Sequence, residues 1–238
     1  MQVKLSIVTI NYNNSAGLLK TIESVRDIKS TLIEYIVVDG NSSDDSDDIV
    51  RRNDDIVDHY INESDSGIYN AMNKGIKIAN GRYVHLLNSG DIYTNRDWLK
   101  VLKSLDFDVD FIAYSVLKII DSSWRIRQPK SNFFEDFVDA PHPGIIVKRE
   151  VYFNNVYNET LRIASDSLFI YNNMRPSNTL IVPLTLVKMS AAGISQLRIS
   201  YLHEKERVLL LWKYGYRKKV RVFLQINYFM RLLWRCIS

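Results

Sequence analysis

The amino-acid sequence predicts an α/β fold in which a mainly parallel sheet is covered by helices on both faces. Short apolar runs rich in β-branched residues alternate with segments whose apolar residues recur at helical spacing. This strand-helix-strand order favours parallel strands joined by crossover helices. The length of 238 residues and the 46% of hydrophobic residues are sufficient for a substantial core.

The first part of the chain supplies the elements of this predicted sheet. Each strand is a short apolar run, and each helix follows from apolar periodicity beside a polar residue that can cap it. Asn14 or Ser15 can cap the first helix, acids occupy the first turn of the second, and Asn80-Gly81 ends the third. The predicted strands are residues 4–13, 34–40, 58–64 and 82–88.

Charge is distributed unevenly along the chain. Residues 207–238 contain eight of the 31 bases and none of the 27 acids. We therefore predict a domain over residues 1–204 and a basic tail over residues 205–238. The single cysteine, Cys236, cannot form an internal disulfide, and no apolar run has the length of a leader or a membrane span. These observations indicate a cytoplasmic protein.

Aspartates follow three of the predicted strands. Asp39 and Asp91 come at or just after strand ends, and Asp65 lies a little past one. Because ligands of open parallel sheets bind beyond the carboxyl ends of strands, these acids are expected to converge at one edge. Clustered carboxylates need a cation or hydrogen-bond donors, so the cluster indicates a hydroxyl-rich ligand and a hard metal ion. Each aspartate taken alone also fits a turn or a helix cap.

Several segments match, in chain order, a pattern known from one enzyme family. They are SIVTINYNN with LLKTIESV, EYIVVDGNSSDDS, DSGIYNAMNKGIKIANGRYVHLLNSGD, and PHPGIIVKREVYFN with NETLRIASDSLFIY. Over residues 4–195 the sequence resembles family 2 glycosyltransferases of bacterial polysaccharide and O-antigen assembly. The resemblance implies the GT-A nucleotide-sugar fold and an inverting, metal-dependent hexosyltransferase. It also implies a UDP-sugar donor and a polyprenyl-diphosphate-linked saccharide as acceptor.

The resemblance assigns the nucleoside side of the donor site. Thr9, Asn11 and Tyr12, at the end of the first strand, would bind the nucleoside. Asp39 would contact the base, and Asp65 would lie against the ribose and uracil.

The turn NSGD is implied to bind the metal and the diphosphate. Asp91 matches the last acid of the family's Asp-x-Asp element and is the expected ligand of Mn²⁺ or Mg²⁺. Asn88, Ser89 and Gly90 would face the donor, although many relatives carry Asp in place of Asn88 and Gly90. One carboxylate can still hold the metal if the diphosphate and waters supply the remaining oxygens. Asn73, in the third predicted helix, is also assigned to the donor site.

The resemblance places the general base at Asp166, in RIASDSLFIY. One carboxylate within reach of the acceptor hydroxyl is enough for single-displacement inversion. From the residues alone, Asp166 could instead, or also, cap a helix over residues 167–174. His142, in the proline-flanked loop APHPG, is expected to contact the donor diphosphate or the acceptor, with a structural hydrogen bond as the alternative. The other three histidines have no partner at metal-ligand spacing. Residues 191–195 resemble a loop that closes such sites.

The basic tail is predicted to form one or two amphipathic helices. Apolar residues recur there at roughly helical spacing, and Arg217, Lys218, Lys219 and Arg221 form a compact cationic patch. We expect the tail to bind an anionic membrane surface on the inner face of the cytoplasmic membrane, close to a lipid-linked acceptor. A helix packed on the domain and a homodimer interface are the alternatives.

Other functional classes fit the sequence less well. A nicotinamide-dependent oxidoreductase should carry G-x-G-x-x-G after the first strand, where the chain has NYNNSAG. A nucleic-acid-binding protein could use the basic tail, but the acidic sheet edge would repel phosphate, so no nucleic acid is expected as a partner. A non-catalytic protein that binds a nucleotide sugar or a nucleic acid remains the alternative, and UDP release from a UDP-hexose with Mn²⁺ would separate it from an enzyme.

Overall fold

The computed structural model describes residues 3–104, 108–120, 123–132 and 136–190. The predicted basic tail, residues 205–238, lies outside the described residues, as does the predicted closing loop at 191–195. The domain boundary after residue 204 therefore stays a prediction.

Strands and helices alternate through the first part of the chain, as predicted. The strands are β1 (Leu5–Asn11), β2 (Ile33–Asp39), β3 (His59–Asn62), β4 (Tyr83–Leu86), β5 (Ile92–Tyr93), β6 (Phe111–Ile120), β7 (Ser123–Arg127), β8 (Lys130–Asn132), β9 (Phe137–Asp139), β10 (Ile145–Lys148) and β11 (Thr179–Lys188). The helices are α1 (Ser15–Arg26), α2 (Ser46–Arg51), α3 (Ile68–Ile78), α4 (Trp98–Ser104) and α5 (Ser165–Asn173). Two 3₁₀ turns cover His142–Gly144 and Arg149–Phe153.

The main sheet has the strand order β3-β2-β1-β4-β10-β6-β11-β5, and β7 pairs with β6. The four strands predicted from the sequence are mutually parallel, which confirms the α/β expectation for this half. The second half is mixed, because β10 lies antiparallel between β4 and β6 and β5 lies antiparallel to β11. The apolar run of β10 does not reveal its direction, since a strand buried on both faces reads the same either way.

The core forms two layers, one on each face of the sheet. On one face, α1 buries Leu18, Ile22 and Val25 against side chains of β1 and β2. On the other face, α3 packs Met72 and Ile76 together with the aromatic side chains of the C-terminal half. Burial on both faces fixes the sheet rigidly and leaves the carboxyl ends of the parallel strands as the edge where polar side chains gather.

No helix within the described ranges combines the length and the apolar character needed to cross a lipid bilayer.

Candidate functional site

The carboxyl ends of β1 and β2 bring Asn11 and Asp39 side by side. The two residues are register partners in the parallel ladder, and Asn11 Nδ2 donates to Asp39 Oδ2 at 2.6 Å. Asp39 also accepts from the Ser42 backbone N–H at 2.6 Å and from the Ser42 hydroxyl at 2.8 Å. This local turn matches the alternative interpretation of Asp39 as a turn residue, and it presents the carboxylate in a fixed orientation at the sheet edge.

Two buried amide oxygens at this edge have no hydrogen-bond partner among the described residues. They are Oδ1 of Asn11, whose Nδ2 also donates to Ser46 Oγ at 2.8 Å, and Oδ1 of Asn88. An unpaired buried acceptor costs about 1–3 kcal/mol. A donor or a cation that reached either oxygen would offset this cost.

The side chains of Tyr12 and Asp65 both approach Gly40. A Cβ atom at Gly40 would lie 2.6 Å from Asp65 Oδ2 and 3.1 Å from Tyr12 Cδ2, so only glycine leaves room for both side chains. The Tyr12 side chain is 67% exposed, and Asp65 Oδ1 accepts from the Gly67 N–H at 2.8 Å. The structure thus brings together the exposed ring and the carboxylate that the sequence assigned to the nucleoside.

Two residues predicted to bind the donor make hydrogen bonds within the protein. The Thr9 side chain is fully buried, and its hydroxyl accepts from the Tyr35 hydroxyl at 3.1 Å inside the core. Asn73 exchanges hydrogen bonds with the backbone of Tyr157 and donates to Glu159 at 2.8 Å. The assignment of Thr9 is corrected, because the strand alternation turns its side chain into the core. Asn73 fixes the loop around Tyr157 to α3, and its assignment to the donor site stays a prediction.

Asp91 lies at the end of the turn after β4 and is 4% exposed. Its Oδ1 accepts from the Ser190 N–H at 2.7 Å, and its own N–H donates to the Asn88 carbonyl at 2.9 Å. Burial raises the pKa of Asp91 to about 7, and the hydrogen bond from Ser190 lowers it only in part. Gly90, beside it, has a φ of 98°, a left-handed conformation that other residues rarely adopt.

The turn that carries Asp91 is held from α1. Thr21 Oγ1 accepts from the Gly90 N–H at 2.9 Å and donates to the Asp91 carbonyl at 2.9 Å. Asn14, which caps α1, donates through Nδ2 to the Ser89 carbonyl and hydroxyl, each at 3.1 Å. One helix therefore positions three consecutive residues of the turn.

Removal of the Thr21 hydroxyl is expected to destabilise the fold by about 1–3 kcal/mol, because Thr21→Val leaves a buried N–H and a buried C=O unpaired. Thr21→Ser keeps the hydroxyl and should lose only the packing of one methyl group, about 1 kcal/mol. Denaturant unfolding of the two variants measures the difference. Equal losses would mean that the Thr21 contribution is packing and that the hydroxyl does not hold the turn.

The residues around Asp91 fit a hard divalent cation. Among the described residues, the buried Asp91 carboxylate has no cationic partner, and the amide oxygen of Asn88, three residues earlier, has no hydrogen-bond partner. Oxygen donors of this kind suit Mg²⁺ and Mn²⁺. Within the described ranges, no three His, Cys, Asp or Glu side chains group as a metal site, so a cation here would need further oxygens from a bound ligand or water.

Asp166 stands at the second position of α5, two residues after the N-cap Ala164. The proposed capping role of Asp166 is therefore wrong, although its Oδ1 accepts from the Ser167 N–H at 2.7 Å. Oδ1 also accepts from the Tyr69 hydroxyl at 3.1 Å, while Oδ2 makes no hydrogen bond to a described residue. Burial, followed by the charge of Asp166, raises the pKa of Tyr69 far above its usual value, so Tyr69 remains a neutral donor.

His142 joins the same cluster through Tyr157. His142 Nε2 lies 3.0 Å from the Tyr157 hydroxyl, and the Tyr157 ring stands 5.6 Å from that of Tyr69, centroid to centroid. Burial lowers the pKa of His142, and the nearby charge of Asp166 raises it by less, so the imidazole is held neutral. His142 therefore makes a structural hydrogen bond, which is the alternative interpretation of this residue. Tyr157 lies between His142 and Tyr69, and Tyr69 in turn contacts Asp166.

His85, to which the sequence assigned no role, connects the two sides of the site. Its Nε2 lies 3.0 Å from the Pro143 carbonyl, which can only accept, so Nε2 carries the proton. Its Nδ1 then accepts from the Tyr93 hydroxyl at 2.6 Å. His85 thereby ties β4 both to the strand that follows Asp91 and to the loop of His142.

His85 makes stability depend on pH. Burial lowers its pKa from 6.5 to about 4, so folding favours the neutral ring. The contribution of neutral His85 to the free energy of unfolding is complete above about pH 6.5 and is lost as the pH falls towards 4. His85→Gln cannot be protonated and should flatten this part of the stability profile, which thermal unfolding at a series of pH values measures. An unchanged slope in the variant would show that other groups control acid unfolding.

Several site residues gave no signal in the sequence. Thr21 and His85 lie within ordinary helix and strand patterns, and Tyr69 and Tyr157 read as core aromatics. The hydrogen-bond partners of Thr21 and Tyr69 in the site are 69 to 97 residues away, so only the folded chain brings them together. Asn14 was recognised as a helix cap, but its contact with Ser89 was not.

The comparisons with known proteins agree with this geometry. The family model described as Glycosyl transferase family 2 matches residues 6–178. The Escherichia coli protein WfaP, a UDP-Glc:alpha-D-GlcNAc-diphosphoundecaprenol beta-1,3-glucosyltransferase, is 30% identical over 112 residues, which are 47% of this chain and 45% of WfaP. The matched regions span between 25% and 61% of the lengths of such curated relatives.

Solved structures share the fold. S. aureus TarS 1-349 in complex with UDP-GlcNAc superposes with a TM-score of 0.69 at 15% identity, covering 93% of this chain and 70% of that one. The mannosyltransferase PcManGT from Pyrobaculum calidifontis, in complex with GDP-Man and Mn2+, gives 0.64 at 16% identity, covering 90% and 64%. The family match extends over most of the chain and includes β1 to β10. The chain therefore belongs to glycosyl transferase family 2, with a mixed α/β fold of the GT-A type.

Proposed function

We propose that this glycosyltransferase transfers a hexose, with inversion, from a UDP-sugar to a polyprenyl-diphosphate-linked saccharide in surface polysaccharide synthesis. The observation that carries the proposal is the sheet edge at which Asn11, Asp39 and the turn of Asp91 meet. Two buried amide oxygens there, of Asn11 and Asn88, have no hydrogen-bond partner among the described residues. Nucleotide-sugar ligands in the similar structures and the lipid-linked acceptor in the name of WfaP support the choice of substrates.

The donor nucleoside would bind between Tyr12 and Asp65. The exposed Tyr12 ring offers a stacking surface for the base. The unpaired Oδ1 of Asn11 and the oriented carboxylate of Asp39 offer acceptors for a base N–H. Asp65, held by the Gly67 N–H, keeps Oδ2 available for ribose hydroxyls. Uracil, with its N–H donor, matches this set of acceptors.

Asp91 and Asn88 would hold Mn²⁺ or Mg²⁺ beside the donor diphosphate. The metal, when bound, would neutralise the charge that develops on the departing nucleotide. Because the protein supplies one carboxylate here, we expect weak metal affinity without the donor and tighter binding with UDP. The metal in the PcManGT structure supports this assignment by analogy of fold.

Asp166 would remove the proton from the acceptor hydroxyl. As the O–H bond breaks, the acceptor oxygen would form a bond to the anomeric carbon, the bond from that carbon to the diphosphate oxygen would break, and UDP would leave with the bonding pair. Tyr69 keeps Oδ1 of Asp166 hydrogen-bonded, so Oδ2 is the oxygen positioned to accept the proton. Attack opposite to the leaving group gives inverted configuration.

The experiment is an assay with purified chain, a panel of UDP-hexoses, Mn²⁺ and a polyprenyl-diphosphate-linked saccharide dispersed in detergent. We expect one UDP-hexose to release UDP and extend the lipid-linked saccharide, and the release to stop with EDTA. Binding of UDP without release for any donor or acceptor would favour a non-catalytic nucleotide-sugar-binding protein. Transfer that persists in EDTA would overturn the metal assignment alone.

The basic tail remains a prediction and is proposed to bind the anionic inner surface of the cytoplasmic membrane. The intact chain should float with anionic vesicles, and less so at high salt, because each base near the surface contributes about 1 kcal/mol. A chain ending at residue 204 should float less. If the truncation leaves flotation unchanged, the tail is a packed helix or a homodimer interface.

A further inference from the structure

The β6–β7 hairpin projects from the same edge of the sheet as the candidate site. β10 is antiparallel to both β4 and β6, so β6 runs in the direction of β4. His85 and Ile112 lie level with each other, since both are register partners of Ile146. Ile120 lies eight residues after Ile112, roughly 25 Å along the strand, but Lys188 pairs with both Leu117 and Ile92, so Asp91 lies level with the outer half of β6. The last register pair of the hairpin, Ile120 with Ser123, thus stands about 10 Å past the level of Asp91.

One face of the hairpin is apolar and exposed. Trp124 and Ile126 are 43% and 58% exposed, and they pair across the ladder with Ile119 and Leu117. Lys188 Nζ lies 4.5 Å from the centre of the Trp124 ring. This cation–π contact places a positive charge beside the indole, one register pair before the last pair of the hairpin.

The opposite face is cationic. Lys118 and Arg125 are register partners, so their side chains share this face, and neither forms an ion pair with a described residue. Arg127 pairs with Asp139, and Lys130 follows. The described residues 113–120 and 123–132 contain no acid; the sequence of the tip adds one, Asp121, which lies outside the described residues.

We propose that this hairpin docks on the surface of an anionic phospholipid bilayer. The inference rests on the proposed function, because docking would hold the candidate site in a fixed orientation towards a lipid-linked acceptor. A tryptophan and an aliphatic residue on one face, and two bases without an ion pair among the described residues on the other, match the chemistry of the membrane interface, where indoles settle among headgroups and bases meet lipid phosphates. A nucleic acid would meet the acidic residues of the neighbouring site edge as well, so its phosphates would be repelled.

Phe153 provides a matched control at the other end of the sheet. It is 66% exposed, lies under the guanidinium of Arg149, and Arg149 pairs with the Arg82 carbonyl just before β4 begins. Phe153 is therefore an exposed aromatic residue at the opposite sheet edge from the hairpin. A bilayer that docks on the hairpin should not reach it.

The test uses the full-length chain with Cys236→Ser, so that one introduced cysteine can carry an NBD fluorophore. The label at Ile126→Cys should brighten and shift to the blue with phosphatidylcholine vesicles containing phosphatidylglycerol, and not with phosphatidylcholine alone. The label at Phe153→Cys should not respond to either. If the chain floats with the anionic vesicles while the Ile126→Cys label stays unchanged, the contact lies elsewhere and the proposal is wrong; absence of flotation also overturns it.

A second variant measures the charge contribution. Lys118→Gln with Arg125→Gln should weaken vesicle binding by about tenfold or more, as two bases near an anionic surface contribute about 1 kcal/mol each. UDP release towards a detergent-dispersed acceptor should be unchanged in this variant. If the native chain releases no UDP, the proposed function is wrong. If the double variant binds vesicles as tightly as the native chain, the proposed docking of the hairpin is wrong.

Discussion

Asp91→Ala is expected to lower sugar transfer by about a thousandfold or more and to abolish metal-dependent binding of UDP. The carboxylate is the acidic group placed beside the expected diphosphate, and its loss removes several kcal/mol of stabilisation from the departing nucleotide. Initial rates of UDP release and titration calorimetry of UDP with Mn²⁺ measure the two effects. Turnover close to that of the native enzyme would remove Asp91 from the metal site.

Asp91→Asn separates the role in catalysis from any role in folding. Burial raises the pKa of Asp91 to about 7, so above that pH the chain holds a buried charge that has no cationic partner among the described residues. An asparagine keeps the acceptor for the Ser190 N–H and removes the charge, so this variant should unfold at the native temperature or higher while losing transfer. Asp97→Ala, which changes an exposed acid paired with Lys100, should leave transfer intact.

Asp166→Asn is expected to lower kcat by about two to four orders of magnitude while donor binding is retained, the usual size of a general-base contribution. Asparagine preserves the volume and an oxygen for the Tyr69 hydroxyl but cannot accept the proton. Single-turnover kinetics together with UDP binding give the measurement. An Asp166→Asn enzyme with normal kcat would assign the base elsewhere.

Two further measurements test the role of Asp166. Tyr69→Phe removes the hydroxyl that orients Oδ1 and should lower kcat by much less than loss of the carboxylate, since the base itself remains. The anomeric configuration of the product, read by NMR, should be inverted. Retained configuration would refute a single displacement.

The parallel half of the sheet could be predicted from sequence because each element carries its own signal. β1, β2 and β4 are continuous apolar runs, and α1 and α3 show regular apolar spacing with identifiable ends. The antiparallel β10 and the β6–β7 hairpin were not predicted. Their direction and pairing depend on contacts between distant segments, which local periodicity does not record.

The site was predicted in part for a similar reason. Asp39, Asp65 and Asp91 were placed at strand ends, where topology alone brings polar residues to one edge. Thr9 was misplaced because a residue's position in a motif does not say which way its side chain faces. A strand buried on both faces lacks the polar-apolar alternation that would have shown Thr9 pointing inward.

The hydrogen bond between Ser190 and Asp91 also has a consequence for chain synthesis. Asp91 and Thr21, the α1 residue that holds its turn, leave the ribosome early. The N–H that binds the Asp91 carboxylate belongs to a residue 99 positions later. Contacts between such distant residues form late in folding. A nascent chain would therefore assemble the proposed nucleoside pocket while the Asp91 carboxylate is still open to solvent, and the carboxylate would gain this hydrogen bond only after β11 and Ser190 had been synthesised.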